Sequence, residues 1–388
     1  MLPLTGVKVV EIAQNIAGPY AGEILAALGA DVVKIERPKG GDDARYWGAP
    51  LAKNASHIFH SLNLNKRSLA LDLTDPSDVA WLKDFVGECD ILVQNLRPGV
   101  MEELGLDGET LRAAHPRLIY CSLGAFGNCG PMKTTPGYEP IVQAFSGIFS
   151  VNGGADSPPS RVGVSILDMG SGMWSAIGCL AGLHRRQQTG LGCIVDTSLF
   201  ETALGWLATI LGGYLTTGVV PQRHRTGSPR IVVFQGFETT DGEIVVAAAN
   251  DRLFAKFAEA VGRPEWSADP RFKTNMQRLA NRDALVPQIE TLMRRRSRAE
   301  WVEILEAAGV PCAPINDMTE ITDNAQTQAV EMILREPESG GTFIGLPLKI
   351  DGTRPAIRSP APGVGEHNAE LRPEAEPAPM RAATAGGS

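Results

Sequence analysis

The sequence predicts an α/β protein, a parallel sheet covered by helices, joined to a smaller α+β domain. Three observations predict it. Short β-rich runs alternate with helical patterns through the first third of the chain, which is how a parallel sheet with crossover helices reads. Beyond Gly227 that alternation gives way to a hairpin signal and amphipathic helical segments. With 388 residues, 43% of them hydrophobic and 21% charged, the chain is long and apolar enough to bury two cores.

The elements follow in order. Val7 to Ile12 is a β-rich run, and Gly18-Pro19 then opens an Ala-rich helix that stops at Gly29. A second run, Val32 to Ile35, completes a βαβ unit. The next unit runs from Leu69 to Leu73, through a helix starting near Pro76, into Asp90 to Gln94, with Leu118 to Ser122 after it. Ligands of such sheets sit beyond the carboxyl ends of the strands, which selects the loops Ala13 to Pro19, Glu36 to Asp43, Gln94 to Gly99 and Gly124 to Tyr138. The Gly/Pro/Ser-rich stretch Gly147 to Ser160 leads into Val162 to Asp168. From Gly170-Ser171-Gly172 a helix then runs to about Arg186, with Gly190 as its stop. Leu204 to Leu215 reads as a buried helix, since it is shorter than the roughly 20 residues that cross a bilayer and is interrupted by Gly205, Gly212 and Gly213. Phe237 to Ala248 is a hairpin around Asp241-Gly242, and Thr342 to Ile350 is strand material returning to the first domain. The expected division is a large domain over 1–226, a small one over 227–325, a return to the large domain over 326–371, and a disordered tail over 372–388.

Composition narrows the function. A net charge of -8 argues against nucleic-acid binding, which rests on clustered Lys and Arg, and points to small-molecule partners. The six cysteines, Cys89, Cys121, Cys129, Cys179, Cys193 and Cys312, show neither C-x-x-C pairing nor zinc-ligand spacing, so they read as free thiols of a cytoplasmic protein. The N-terminus lacks the pattern of a signal peptide, so neither secretion nor a membrane location is expected. The six histidines are scattered and receive no metal or catalytic role.

Asp168 is the sharpest candidate for chemistry. It lies at or just before a helix N-terminus, where an Asp is equally at home as an N-cap. An ionised, accessible carboxylate there is also what covalent acyl transfer requires, and Gly170 and Gly172 leave room for a bulky ligand. The loop Gln14-Asn15-Ile16-Ala17-Gly18-Pro19 occupies the place of a dinucleotide phosphate loop, yet it lacks G-x-G-x-x-G, which disfavours a Rossmann oxidoreductase. The charges of Lys34-Ile35-Glu36-Arg37-Pro38 read by default as a solvated strand end, with Arg37 alternatively facing an adenosine phosphate. Asn95-Leu96-Arg97-Pro98-Gly99 reads as a turn, or as a contact to a phosphate or base edge through Arg97. The basic run Arg294, Arg295, Arg296 and Arg298 is explained by a helix C-terminus followed by the capping box Ser297-x-x-Glu300.

These residues carry a resemblance. Leu4-x-Gly6-x-x-Val9, Ala17-Gly18-Pro19, Leu28-Gly29-Ala30-Asp31-Val32-Val33-Lys34-Ile35-Glu36, Asn65-Lys66-Arg67-Ser68, Asn95-x-Arg97-Pro98-Gly99, Gly137-Tyr138-Glu139 and Asp168 occur in an order that resembles the class III CoA-transferases. Formyl-CoA and carnitine CoA-transferases belong to that family, and α-methylacyl-CoA racemase is a sister branch. The match is continuous from about Leu4 to Asp196 and weaker to about Leu371.

The resemblance implies a Rossmann-like large domain, a smaller domain between its two parts, and an interlocked homodimer. It implies that Asp168 attacks an acyl-CoA thioester, forms a mixed anhydride and then an aspartyl-CoA thioester, and passes the CoA to an acceptor acid. No metal or prosthetic group is implied; coenzyme A and its esters are substrates. By matching position the CoA site would comprise Ile16, Ala17, Arg37, Leu71, Asn95, Leu96, Arg97, Tyr138 and Glu139. The formyl-CoA branch has Gln at the position of Ile16, Arg at that of Glu103, and four glycines near Thr226-Gly227-Ser228-Pro229-Arg230, and these departures argue against carrying that branch's formate or oxalate chemistry over to this chain. The alternatives are an acyl-CoA racemase, whose histidine is replaced here by Tyr138, and a non-catalytic acyl-CoA-binding protein.

Overall fold

The computed structural model describes residues 1–373 apart from 54 and 339. The expected tail lies, from residue 374 onward, outside the described residues. Two compact units are present. The first comprises Met1–Val142, Ser165–Gly205 and the chain from Met332 onward; the second comprises Gln143–Val164 and Trp206–Glu331, a wider span than 227–325.

The first unit is built on six parallel strands: β1 (Lys8–Ile12), β2 (Asp31–Glu36), β3 (Lys66–Ala70), β4 (Ile91–Gln94), β5 (Ile119–Gly124) and β6 (Ile194–Ser198). Their order is β3-β2-β1-β4-β5-β6. Successive residues point to opposite faces, and both faces are covered. Val9, Val32, Ile91, Val93 and Ile119 enter one core, and Val10, Val33, Ile35, Leu92 and Tyr120 the other. This is why the strands read as continuous apolar runs. The order reverses between β1 and β4, which makes the gap between their carboxyl ends the topological switch point.

Helix α1 (Ala17–Ala27) follows β1, and the helix Pro76–Val86 starts at Asp75, whose side chain accepts from the Ser77 N–H. The helix Ile166–Thr189 lies against α1, β5 and β6, and Gly190 ends it in the left-handed conformation. By length and composition alone it would pass as a membrane span, but Ala176 and Cys179 sit in the core beneath the sheet, as expected of a core helix.

Four expectations are corrected. The third strand is Lys66–Ala70, not Leu69 to Leu73, because its first residues are polar yet buried or half-buried. Strand β6, with Asp196, Thr197 and Ser198 in its sequence, was not anticipated. Leu204 to Leu215 is split between the helices Leu199–Trp206 and Ala208–Thr217, and the second of these buries no residue. Thr342 to Ile350 yields only the strand Thr342–Ile344, which pairs antiparallel with Ile333–Arg335 and not with the main sheet; Pro347 cannot donate to a ladder.

In the second unit the hairpin forms as expected, Phe234–Glu238 against Glu243–Ala247, with Cys312–Pro314 added to its edge. Its core is apolar and aromatic, including Phe237, Phe254, Phe257, Trp266, Phe272 and Trp301. The basic run is resolved as read: Arg294 caps the helix Arg282–Met293, and Ser297 and Glu300 form a reciprocal capping box.

Candidate functional site

All the candidate catalytic and CoA-site residues lie in the first unit, and most follow the carboxyl end of a strand. Ile16 and Ala17 come after β1, Arg37 after β2, Leu71 after β3, Asn95, Leu96 and Arg97 after β4, and Tyr138 and Glu139 beyond the long loop after β5. Because the strands are parallel and adjacent, one edge of the sheet collects them over roughly 19 Å from β3 to β5.

The loop between β1 and α1 is held from several sides. The Asn95 side chain accepts from the Gln14 N–H and donates to the Gln14 carbonyl, both at 2.8 Å, so it staples the loops on either side of the switch point. Asn15 has φ of 70°, and its N–H donates to Asp42 Oδ1 at 3.0 Å. Ile16 is the N-cap residue of α1, leaving its first N–H groups without a side-chain cap, and Ala17 is buried.

Beneath this loop lies a cluster of buried charge that the sequence reading missed. Lys34, expected on a solvated strand end, has a fully buried side chain and pairs with Glu11 Oε1 at 2.8 Å and Asp42 Oδ2 at 2.9 Å. Lys66 pairs with Glu11 Oε2 at 2.8 Å. Gly22 of α1 has no room for a Cβ, which would fall 1.9 Å from Glu11 Oε2. Glu36 is likewise buried, held by Arg45 through two hydrogen bonds and by the Ser68 hydroxyl. Removing an ion from water costs several kcal/mol, so such a group persists only where partners surround it. Burial works against the charge on Lys34, but Glu11, Asp42 and Glu36 outweigh it and push its pKa up. Burial prevails at Lys66, which has Glu11 as partner but Lys34 as a like-charged neighbour, and its pKa is lowered. The carboxyl of Glu23, on α1, is pushed up to about 8, chiefly by burial; Lys66 opposes that shift and Glu11 adds to it.

The cations of the edge differ from each other. Arg37 is half exposed and already engaged, with Asp43 at 2.5 Å and the Gly41 carbonyl at 2.8 and 3.1 Å. Arg97 is exposed and has no ion pair or side-chain hydrogen bond among the described residues. Leu71 is buried in the core and offers backbone only, its N–H donating to the Glu36 carbonyl. The Leu96 N–H is taken by Gln94 Oε1.

Asp168 is the third residue of the helix Ile166–Thr189, not its N-cap, a position held by Ser165. It is partly exposed. The cap comes from afar: buried Glu139 accepts the Leu167 N–H through Oε1 at 2.9 Å, which ties the Tyr138-Glu139 motif to the turn that carries Asp168. Gly172 lies one helical turn further on the same face. A Cβ there would fall 2.7 Å from the Ala17 carbonyl and 3.1 Å from Tyr20, so this glycine serves helix packing at the switch point, not ligand access. Tyr138 is 60% exposed. Among the described residues no group of three His, Cys, Asp or Glu is placed to hold a metal ion. The first unit thus presents a partly exposed carboxylate on a helix first turn packed against the start of α1, and an unengaged guanidinium after β4, which suits capture of a large anionic thioester.

Comparison with known proteins agrees. The family model of CoA-transferase family III matches residues 4–368. The chain is 38% identical over 375 residues to the acetyl-CoA:oxalate CoA-transferase of Acetobacter aceti, covering 96% of this chain and 95% of that protein. It is 34% identical to the succinyl-CoA:glutarate CoA-transferase of Mus musculus, covering 96% and 86%. A crystal structure of a CAIB/BAIF family protein from Brucella suis superposes with a TM-score of 0.86 at 34% identity, covering 96% of this chain and 98% of the other.

Proposed function

The chain belongs to CoA-transferase family III and is an enzyme of that family, and on that premise we propose that it moves CoA from an acyl-CoA donor to a carboxylate acceptor through covalent adducts on Asp168. The observation that carries the reading is the setting of Asp168, partly exposed on a first turn that Glu139 caps and that Gly172 seats against the switch-point loop. A carboxylate oxygen of Asp168 attacks the thioester carbonyl, the C–S bond breaks, and CoA leaves as thiolate. The thiolate then attacks the Asp168 carbonyl of the anhydride, releasing the donor acid as carboxylate and leaving an aspartyl-CoA thioester. The acceptor carboxylate attacks that thioester and the steps run in reverse. Every bond made or broken is an acyl bond, so the cycle asks for no prosthetic group.

Coenzyme A is read as lying along the carboxyl edge, with Ile16 and Ala17 at the thioester end and Arg97 and Arg37 toward the phosphates. The relatives named above act on oxalate and glutarate, which supports a small dicarboxylate as acceptor. Departures at Ile16 and Glu103 from the formyl-CoA pattern still favour an acid other than oxalate. Tyr138 supports transfer over racemisation, since a phenol hydroxyl is a poor base for an α-proton but a good hydrogen-bond donor. A homodimer is part of the proposal, supported by the exposed apolar side chains of Met173, Trp174 and Ile177 and of Tyr214, Leu215 and Val219. The free cysteines suit a reducing, cytoplasmic setting.

The test is a transfer assay between succinyl-CoA or acetyl-CoA and a panel of dicarboxylates. Asp168→Asn and Asp168→Ala should lose turnover by on the order of 1000-fold or more while CoA affinity stays within about 3-fold. Normal turnover by either variant would sink the covalent reading.

A further inference from the structure

Each of the two buried lysines has an ammonium group within 2.9 Å of three oxygens, and in each case one of the three is a backbone carbonyl, at the start of the β1–α1 loop for Lys34 and in the first turn of α1 for Lys66. Lys34 meets Glu11 Oε1 at 2.8 Å, Asp42 Oδ2 at 2.9 Å and the Ala13 carbonyl at 2.7 Å. Lys66 meets Glu11 Oε2 at 2.8 Å, Asn63 Oδ1 at 2.9 Å and the Pro19 carbonyl at 2.7 Å. Ala13 opens the loop, and Pro19 lies in the first turn of α1, which follows it. Glu11 stands between the lysines, opposite Lys34 in the β1–β2 register, and gives one oxygen to each. Asp42 extends the cluster to the middle of the loop, where it accepts the Asn15 N–H.

Apolar side chains of similar volume would fill this space with equal or better stability, because four buried charges carry a desolvation penalty that their mutual attraction only partly offsets. What apolar groups lack is a donor at the end of a long stem that reaches a carbonyl several ångströms away. We propose that Lys34 and Lys66 are positioning residues for the transfer reaction, their ammonium groups holding the start of the β1–α1 loop and the first turn of α1 that follows it, so that Gln14 to Ala17 keeps the shape that receives the CoA ester. This rests on the reading that the loop takes the CoA ester.

Lys66→Met alone leaves Glu11 short of a partner and should lower the thermal midpoint. The double variant Glu11→Gln with Lys66→Met removes the charge imbalance and should recover much of that midpoint, yet the Pro19 carbonyl loses its side-chain donor. The expected result is a KM for the donor CoA ester at least about 10-fold above wild type in the double variant, with kcat changed by less than about 3-fold. A double variant with wild-type KM would reduce the lysines to structural ballast and overturn the proposal. The unaltered enzyme provides an arm that does not depend on any variant folding. In hydrogen exchange without substrate, the Gln14 and Asn15 amides should be protected like those of β1, and exchange at the rate of an open surface loop would overturn the clamp. A wild-type enzyme that transfers CoA between no pair of acids would overturn both this proposal and the functional reading beneath it.

Discussion

The core of the second unit and the core beneath the switch-point loop solve different problems. In the second unit, Phe237, Phe254, Phe257, Phe272 and Trp301 fill the interior, and the fully buried Arg278 is accommodated by stacking 4.2 Å over Phe254 and donating to the Phe272 carbonyl and Asp251. Beneath the loop of the first unit, Glu11, Lys34, Asp42 and Lys66 occupy a comparable depth. The first arrangement is cohesive, with its energy in buried apolar area. The second spends desolvation on polar groups because those groups hold backbone at defined points. Charge is buried here where geometry matters, and apolar surface where cohesion suffices.

The largest effect expected from breaking that contrast is on stability. Phe257→Ala should lower the free energy of unfolding by about 3 to 5 kcal/mol in urea titration, while the folded enzyme keeps its KM for CoA esters. A raised KM would show that the two cores are not separable in function. A smaller effect is expected at the edge of the sheet. Arg97→Ala should raise the KM for CoA esters by on the order of 10-fold, the loss of a charge-assisted contact, with little change in kcat. Arg37→Ala should do less, since its guanidinium is already held by Asp43 and the Gly41 carbonyl. Unchanged KM in both would make them ordinary surface arginines.

The smallest effect is a slope. The carboxyl of Glu23 is pushed up to about 8, mainly by burial, above the ordinary 4.5. The folded state therefore binds this proton more tightly than the unfolded chain, and the contribution to stability falls as pH rises from about 4.5 and levels off above about 8. Between pH 6 and pH 8 the wild type should lose on the order of 2 kcal/mol relative to Glu23→Gln. Parallel curves for the two proteins would place Glu23 in contact with water.

How much of this was legible in the sequence follows from what local patterns can carry. Strands β1, β2, β4 and β5 were read because both their faces are buried in apolar cores, so Val9-Val10 and Leu92-Val93 stand out. Strand β3 reads three residues late because Lys66, Arg67 and Ser68 look solvated, and only the fold reveals that Lys66 and Ser68 are buried. The same cause hid the roles of Lys34 and Glu36. The Ala208–Thr217 helix reads as buried from its apolar composition, yet it buries no residue, because composition alone does not say which segments find a covering surface. Asp168 was located to within a turn, but its cap was invisible. Glu139 lies 28 residues before Leu167, whose N–H it accepts, and a hydrogen bond over that separation leaves no periodic trace. The stapling of Gln14 by Asn95, 81 residues apart, was hidden for the same reason.

The central claim is that Asp168 carries the transferred groups. Wild-type enzyme mixed with a donor acyl-CoA in the absence of acceptor, quenched in acid and digested, should yield the peptide containing Asp168 with the added mass of a CoA thioester or of the acyl group. The adduct should disappear when the acceptor acid is added before the quench, and Asp168→Asn should show none. Steady transfer by the wild type with no adduct on that peptide, or with an adduct on a different carboxylate, would contradict the account.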